Sequence, residues 1–394
     1  MIQVEEALRL ILERVTPLET ERTSLRHARG RTLRTAARAD VDSPPFDASA
    51  MDGYAACRAD LGSPLRVIGE APAGAAFAGT VGPGECVRIF TGAPIPAGAD
   101  CVVRQEDTAR EGVNVRITKI GTLPDFIRRR GENRRAGDVV VPAGTRLGAP
   151  ELAALAAVGV VEPEVSRAPA CGHLVTGDEL VPPAHTPTGA QVRDSNSTLI
   201  EQLLAAHGTH AAGHAYTKDS LTAAQAALQG FRPYDILLIS GGAGAGDYDF
   251  ARPLLKSLGF ELHFEQLNLR PGKPLVFARK GRQFAFALPG NPVSHWVTFQ
   301  LFVAPLLQKL QTGLDVPRPR LTGRLAAGTK PPSPDARRTF WPCRAVVANG
   351  MHELTLLPLA SSGDSSGLVG ANALLPLPAN SLDPAQPVEF IPCP

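Results

Sequence analysis

This sequence predicts a multidomain α/β protein whose centre is a doubly wound, mostly parallel α/β domain, with β-rich pieces before and after it in the chain. Three observations carry that expectation. Residues 165–312 alternate strand-like and helix-like segments, which argues a mostly parallel sheet with helices on both faces. Residues 41–133 are dense in Gly and Pro between short apolar runs, as in a small β-rich domain. At 394 residues the chain is also too long for one typical core.

The elements follow in order. Val4, Leu8, Ile11 and Val15 recur at helical spacing, so residues 3–15 read as an amphipathic helix, with Pro17 just past its end. In the 41–133 region, runs such as Val87-Arg88-Ile89-Phe90 and Cys101-Val102-Val103 read as strands. Residues 149–159 return to helix, with Glu151 near the positive end of the dipole and Gly159 suited to a C-cap. The β-rich piece then reads as an insertion between two helices that share a layer. Strands are expected at Gly172–Val175, Tyr234–Ser240, Glu261–Leu269, Leu275–Ala278 and Phe284–Leu288. Helices are expected at Ser220–Leu228, ended by Gly230, from the glycine run through Leu258, and at about Val293–Gln308, kinked at Pro305. Residues 313–335, rich in Pro and Gly, read as an interdomain linker, and 337–394 as a small β domain.

Bulk properties exclude several classes. A net charge of +2 leaves no electrostatic footprint for nucleic acid or a membrane surface. No apolar run is long enough to span a bilayer, and the first residues lack the pattern of a signal peptide. The six cysteines are scattered without a CxxC, which suits free thiols in a reducing cytosol. Arg128-Arg129-Arg130 with Arg134 and Arg135 reads as a solvated face, the alternative being an anion contact. His207, His210 and His214 span a helix end and a strand start, so no shared ligand face is expected.

The chemistry concentrates in turns. Residues 45–55 place Asp47, Ser49, Asp52 and an Asp-Gly turn within a few positions, too polar for a buried strand and without helical or strand periodicity. Gly241 to Gly246 lies where a parallel strand meets a helix, the place where backbone N–H groups close on a phosphate. Gly241, Gly242, Gly244 and Gly246 match neither a dinucleotide fingerprint nor a Walker loop. Asp247 and Asp249 follow, suited either to capping the next helix or to a divalent cation beside the phosphate. Arg270-Pro271-Gly272-Lys273-Pro274 offers two cations on a rigid turn, apt for a tetrahedral oxyanion. Pro289 to Ser294, with Asn291, and Thr176 to Leu180, with Glu179, are further strand-end turns. Four such turns at strand C-termini would converge on one crevice.

Together these segments resemble the molybdopterin molybdenumtransferase family (MoeA in bacteria, the E domain of gephyrin in animals). Further matching stretches are Phe46–Ala55, Arg88–Pro94, Pro96–Asp100 and Pro142–Leu147, in the family's order along nearly the whole chain. The resemblance implies four domains: a discontinuous linking and dimerisation domain (1–40 with 134–165), a β-rich lid (41–133), a MogA-like molybdopterin-binding α/β domain (166–312) and a C-terminal β-barrel-like domain (318–394). It implies a cytoplasmic homodimer acting after a MogA-like adenylyltransferase. The implied reaction joins molybdate to adenylylated molybdopterin, giving molybdenum cofactor and AMP. Concentrated negative charge of that kind calls for a divalent cation, Mg²⁺ foremost, and fixed cations.

The carried-over roles are these. Glu179, Asp247 and Asp249 would hold Mg²⁺; Arg270 and Lys273, with Pro274 and Ser294, would receive molybdate. Asp52 and Thr91 would come from the partner chain, and Arg338 and Ser366 of the tail would reach the oxyanion. The sequence departs from the family at Asn133, where Asp is common, at Gly244, where Ser is common, and at Arg270, where Lys is frequent. Two rival readings are a cofactor-holding or scaffolding paralogue with reduced catalysis and an adenylyltransferase. The lid with Asp52 and Thr91 speaks against the second.

Overall fold

The computed structural model describes residues 1–119, 124–242, 250–314, 318–329, 332–333, 335–377 and 386–393. The chain forms two compact units. The first holds residues 1–23, 28–34 and 164–394; the second holds 24–27 and 35–163.

The first unit is built on a six-stranded sheet. Its order is His210–Thr217, Ala170–Thr176, Ile236–Ser240, Gln283–Leu288, Val276–Lys280, Glu261–Phe264. The first three pairings are parallel and the last two antiparallel, so the sheet is mostly parallel, with an antiparallel edge. Ile236-Leu237-Leu238-Ile239 is apolar throughout because both faces are covered. Ile236 and Leu238 pack into one core with the helices near residues 196–206 and 292–312, while Leu237 and Ile239 pack into the other with residues 221–229 and 251–257.

The long helix after Gly290 is α-helical over Pro292–Thr298, opens into a π-helical segment at Phe299–Val303 and resumes over Ala304–Thr312. Pro305 supplies the reason. It lacks an N–H, and its ring crowds the preceding turn, so the ladder widens upstream of it. The expected Glu261–Leu269 strand divides into Glu261–Phe264 and Leu269–Arg270, and the latter leaves the sheet to pair with Arg338–Thr339.

The tail is a closed five-stranded barrel. Arg338–Ala348 pairs with Met351–Leu356, that with Leu321–Leu325, then Val388–Pro392, then Ala373–Leu377, which returns to Arg338–Ala348. Leu321–Leu325 falls inside the stretch read as a linker. Its glycine lies at a close approach, where a Cβ on Gly323 would sit 2.9 Å from the His352 carbonyl oxygen. Pro and Gly density there marks a tight barrel strand rather than a spacer.

The N-terminal helix spans Val4–Leu12, shorter than expected, and buries Val4, Ala7 and Ile11 in a core of the first unit. The helix at Ala149–Ala157 belongs to the second unit. The two helices thus fall in different compact units. Matching amphipathic patterns report a buried face, not which core buries it.

The second unit carries a six-stranded sheet ordered Cys101–Arg104, Gly53–Ala56, Glu85–Ile89, Leu65–Ala71, Asn114–Ile117, Thr108–Glu111. The 45–55 stretch is not loop throughout. Ala48–Ser49 and Gly53–Ala56 are strands, and all six residues are buried. A Cβ on Gly53 would lie 1.9 Å from the Val103 carbonyl oxygen, so only glycine lets this strand approach the edge strand beside it. Its helix begins as expected, with the Glu151 carboxylate accepting from the Gly148 N–H at 2.9 Å. The arginine run is solvent-exposed and laced with ion pairs: Arg128 pairs with Glu132, Arg129 with Asp47 and Asp125, and Arg130 with Asp42.

The six cysteines are free. Burial pushes the Cys86, Cys101, Cys171 and Cys343 thiols up to about 12.

Candidate functional site

Within the first unit, the C-terminal ends of the parallel strands open into a cavity of about 830 Å³. All four turns singled out in the sequence reach it, through Thr176, Gly177 and Glu179, through Gly241 and Gly242, through Arg270 to Pro274, and through Pro289 to Asn291 with Ser294. This is the crevice that parallel strand ends create. The barrel side adds Ser333, Arg337, Trp341 and Leu357 to Ser362 to the lining.

Backbone geometry explains why the turns are glycine-rich. Gly241 sits at φ 99°, and a Cβ there would lie 2.5 Å from the Thr176 carbonyl oxygen, so the strand ends close up only around hydrogen. Asn291 donates to the Ser362 hydroxyl at 2.8 Å, and the Val293 N–H donates to the Ser362 carbonyl at 3.0 Å. The sheet's last turn is thus tied to the barrel.

The cavity has a cationic side. Arg270 donates to the Ser333 carbonyl at 2.7 Å and stands 3.6 Å from Asp335, which Arg337 grips through Nε at 2.8 Å and Nη2 at 2.7 Å. The Arg337 guanidinium holds the Asp335 carboxyl well below its usual range. Lys273 is exposed and, among the described residues, has no carboxylate partner, so its charge is available to an incoming anion.

Opposite in sign are Glu179 and Asp219. Burial raises the Asp219 pKa, partly offset by a hydrogen bond from Thr176, with the nearby Asp178 and Glu179 charges raising it further. Its Oδ1 is buried without a partner among the described residues. Hard oxygen donors with one lone-pair set unsatisfied suit a divalent cation such as Mg²⁺. Among the described residues no group of three metal-type side chains converges. Gly244, Gly246, Asp247 and Asp249 lie outside the described residues.

Asp219 was absent from the sequence-derived set. A usable signal existed: it follows the parallel strand His210–Thr217 and precedes the helix Leu221–Gln229, making it a fifth strand-end turn. Two tail residues lie elsewhere in this structure. Arg338 and Ser366 do not line the cavity. Arg338 lies over the Phe340 ring at 5.7 Å, and Ser366 donates to Asp364 at 2.6 Å. Arg337, Ser361 and Ser362 take the cavity-facing places. Arg337 stands just before the strand Arg338–Ala348, and Ser361 and Ser362 lie in the loop before Ser366, positions that a loose motif match does not resolve.

Asp52 and Thr91 belong to the second unit, where they meet each other. The Thr91 N–H and hydroxyl both donate to Asp52 Oδ1 at 2.8 Å, which lowers the Asp52 pKa. Asn133 is held locally, accepting from Arg128 through Oδ1 and donating to Ser43 at 3.4 Å.

Fold and site together define a multidomain protein with a molybdopterin-binding type of α/β domain. Residues 172–309 match the model described as a probable molybdopterin binding domain, and residues 2–159 match the MoeA N-terminal region, domains I and II. The chain is 34% identical to the molybdopterin molybdenumtransferase of Nostoc sp., over 96% of this chain and 90% of that one. It is 32% identical to the Bacillus subtilis protein of the same name, over 96% and 91%. A crystal structure of the molybdopterin biosynthesis MoeA protein from Pyrococcus horikosii superposes with a TM-score of 0.82 at 28% identity, covering 100% of this chain and 99% of that one. The chain belongs to the molybdopterin molybdenumtransferase (MoeA) family.

Proposed function

We infer that this chain is a transferase of molybdenum cofactor biosynthesis, inserting molybdate into adenylylated molybdopterin with release of AMP. The observation that carries the reading is the cavity itself. Lys273, with no carboxylate partner among the described residues, and two further cations border one side, and Glu179 with Asp219, one of whose oxygens is buried without a partner among the described residues, borders the other, at the mouths of parallel strands.

The residues divide the work by charge. Glycine backbone at Gly241 and Gly242 allows the pyrophosphate to approach the strand ends closely. Arg270 and Lys273, with Pro274 shaping the turn, receive molybdate, and Ser294 and Asn291 orient it. Asp335 neutralises part of Arg337 and Arg270, leaving Lys273 as the unpartnered cation for the oxyanion. Mg²⁺, held by Glu179 with Asp219, and by Asp247 and Asp249 as the resemblance implies, would offset phosphate charge as the bond to AMP breaks. The resemblance also supports a homodimer in which Asp52 and Thr91 of a second copy complete the site, and the four-domain division given above. Among the described residues no helix is long and apolar enough to cross a membrane. A cytoplasmic location, downstream of a MogA-like adenylyltransferase, fits that reading.

The test is AMP release from adenylylated molybdopterin, with molybdate and Mg²⁺ each present or omitted. Release that needs both, and falls at least about tenfold in Glu179→Ala, is expected. Tight binding of the pterin nucleotide without AMP release would instead favour a cofactor-holding protein.

A further inference from the structure

Beneath the cavity floor lies a buried polar chain that the functional reading does not use. His173 Nε2 is 2.6 Å from Ser240 Oγ, Ser240 Oγ is 3.3 Å from His295 Nε2, and His295 Nδ1 is 2.9 Å from the Pro289 carbonyl oxygen. Their exposures are 2%, 2% and 0%, so water does not compete for these bonds. The chain crosses three elements: the strand Ala170–Thr176, the end of the strand Ile236–Ser240, and the helix Pro292–Thr298. Two of its members adjoin cavity turns: the central Ser240 directly precedes Gly241, and the terminal acceptor, Pro289, itself lines the cavity beside Gly290.

One carbonyl sets the direction of every bond. Pro289 O only accepts, so His295 Nδ1 carries the proton. Burial pushes His295 down to about 4 and His173 well below its ordinary value, so both rings are neutral. His295 Nε2 is therefore an acceptor, and the Ser240 hydroxyl must donate to it. The remaining Ser240 lone pair accepts from His173 Nε2–H. Only one arrangement of protons satisfies all four groups.

We propose that His173, Ser240 and His295 act as one directional hydrogen-bonded relay that positions the Gly241–Gly242 and Pro289–Asn291 turns for the anionic substrate. They are positioning residues, and the inference rests on the transferase reading only for its catalytic consequence. Misplacing such turns by about 1 Å can cost about a hundredfold in rate, so the relay has leverage without touching substrate.

The test uses the full chain with Ser240→Ala, His173→Phe, His295→Phe and the double phenylalanine variant. Amide hydrogen exchange is followed at residues 236–242 and 284–294, and AMP release is followed in parallel. We expect exchange to accelerate in both turns in every variant, and kcat to fall about tenfold with KM little changed. The double variant is expected to lose no more than either single one, because residues acting as a unit are not additive. Should a phenylalanine variant fail to fold, Ser240→Ala alone, which removes a single hydroxyl, decides. Exchange altered only beside the substituted residue, or losses that simply add, would overturn the relay. Coupled exchange in a parent chain that releases no AMP would retain the relay and discard the transferase reading.

Discussion

Asp219 is where stability and function pull apart. Its carboxylate is held with a buried, unpartnered oxygen beside Asp178 and Glu179, and its pKa is raised. A raised carboxyl pKa means that the folded state favours the protonated form. The associated stability is present below the unfolded value and is lost as pH rises through the folded one. At neutral pH the charge is thus a burden on folding. Asp219→Asn is expected to raise the thermal unfolding midpoint slightly, since solvent screens much of the charge, while lowering AMP release and weakening its Mg²⁺ dependence. Lys273 predicts a different signature. Because it is exposed and has no carboxylate partner among the described residues, Lys273→Ala should leave the unfolding midpoint unchanged and raise KM for molybdate about tenfold. An unchanged KM would remove Lys273 from the oxyanion site.

At the scale of elements, the cavity depends on strand ends that approach one another more closely than side chains allow. Gly241 combines φ 99° with a Cβ position 2.5 Å from the Thr176 carbonyl oxygen. Gly241→Ala should therefore cost about 1–3 kcal/mol in denaturant unfolding and abolish turnover through displacement of the loop. A neutral effect would mean that the strand ends relax apart readily. The pairing of Leu269–Arg270 with Arg338–Thr339 works on the same scale, because it carries the basic turn out of the α/β sheet and sets it against the barrel. The cavity's cationic side is thus a product of two elements far apart in sequence.

For the whole molecule, the buried histidines predict an acid response. Both His173 and His295 bind protons more weakly folded than unfolded. Their contribution is complete above the ordinary value of 6.5 and is lost as pH falls toward about 4 for His295. That single site can account for up to roughly 3 kcal/mol of stability lost across the window. Urea unfolding between pH 7 and 4.5 should show the decline, with a shallower slope in His295→Phe. Equal slopes in the two proteins would assign the acid sensitivity to other groups.

Periodicity and turn chemistry, read along the chain, were enough for the alternating α/β segment, its apolar central strand and the four turns at strand ends, because burial on both faces and strand-to-helix reversals leave local marks. The same local marks misled where a short strand is built from small residues. Gly53–Ala56 has no apolar alternation, yet it is buried between two neighbours. Leu321–Leu325 looked like a spacer because Pro and Gly surround it, and barrel closure alone makes it a strand. Residues 3–15 were legible as a helix, but which core receives Val4, Ala7 and Ile11 was not. The division is physical. A side chain's preference for burial or for a turn is written in its own chemistry. The partner that buries it, the chain path that puts Arg337 rather than Arg338 at the cavity, and the meeting of His173, Ser240 and His295 come only from long-range packing.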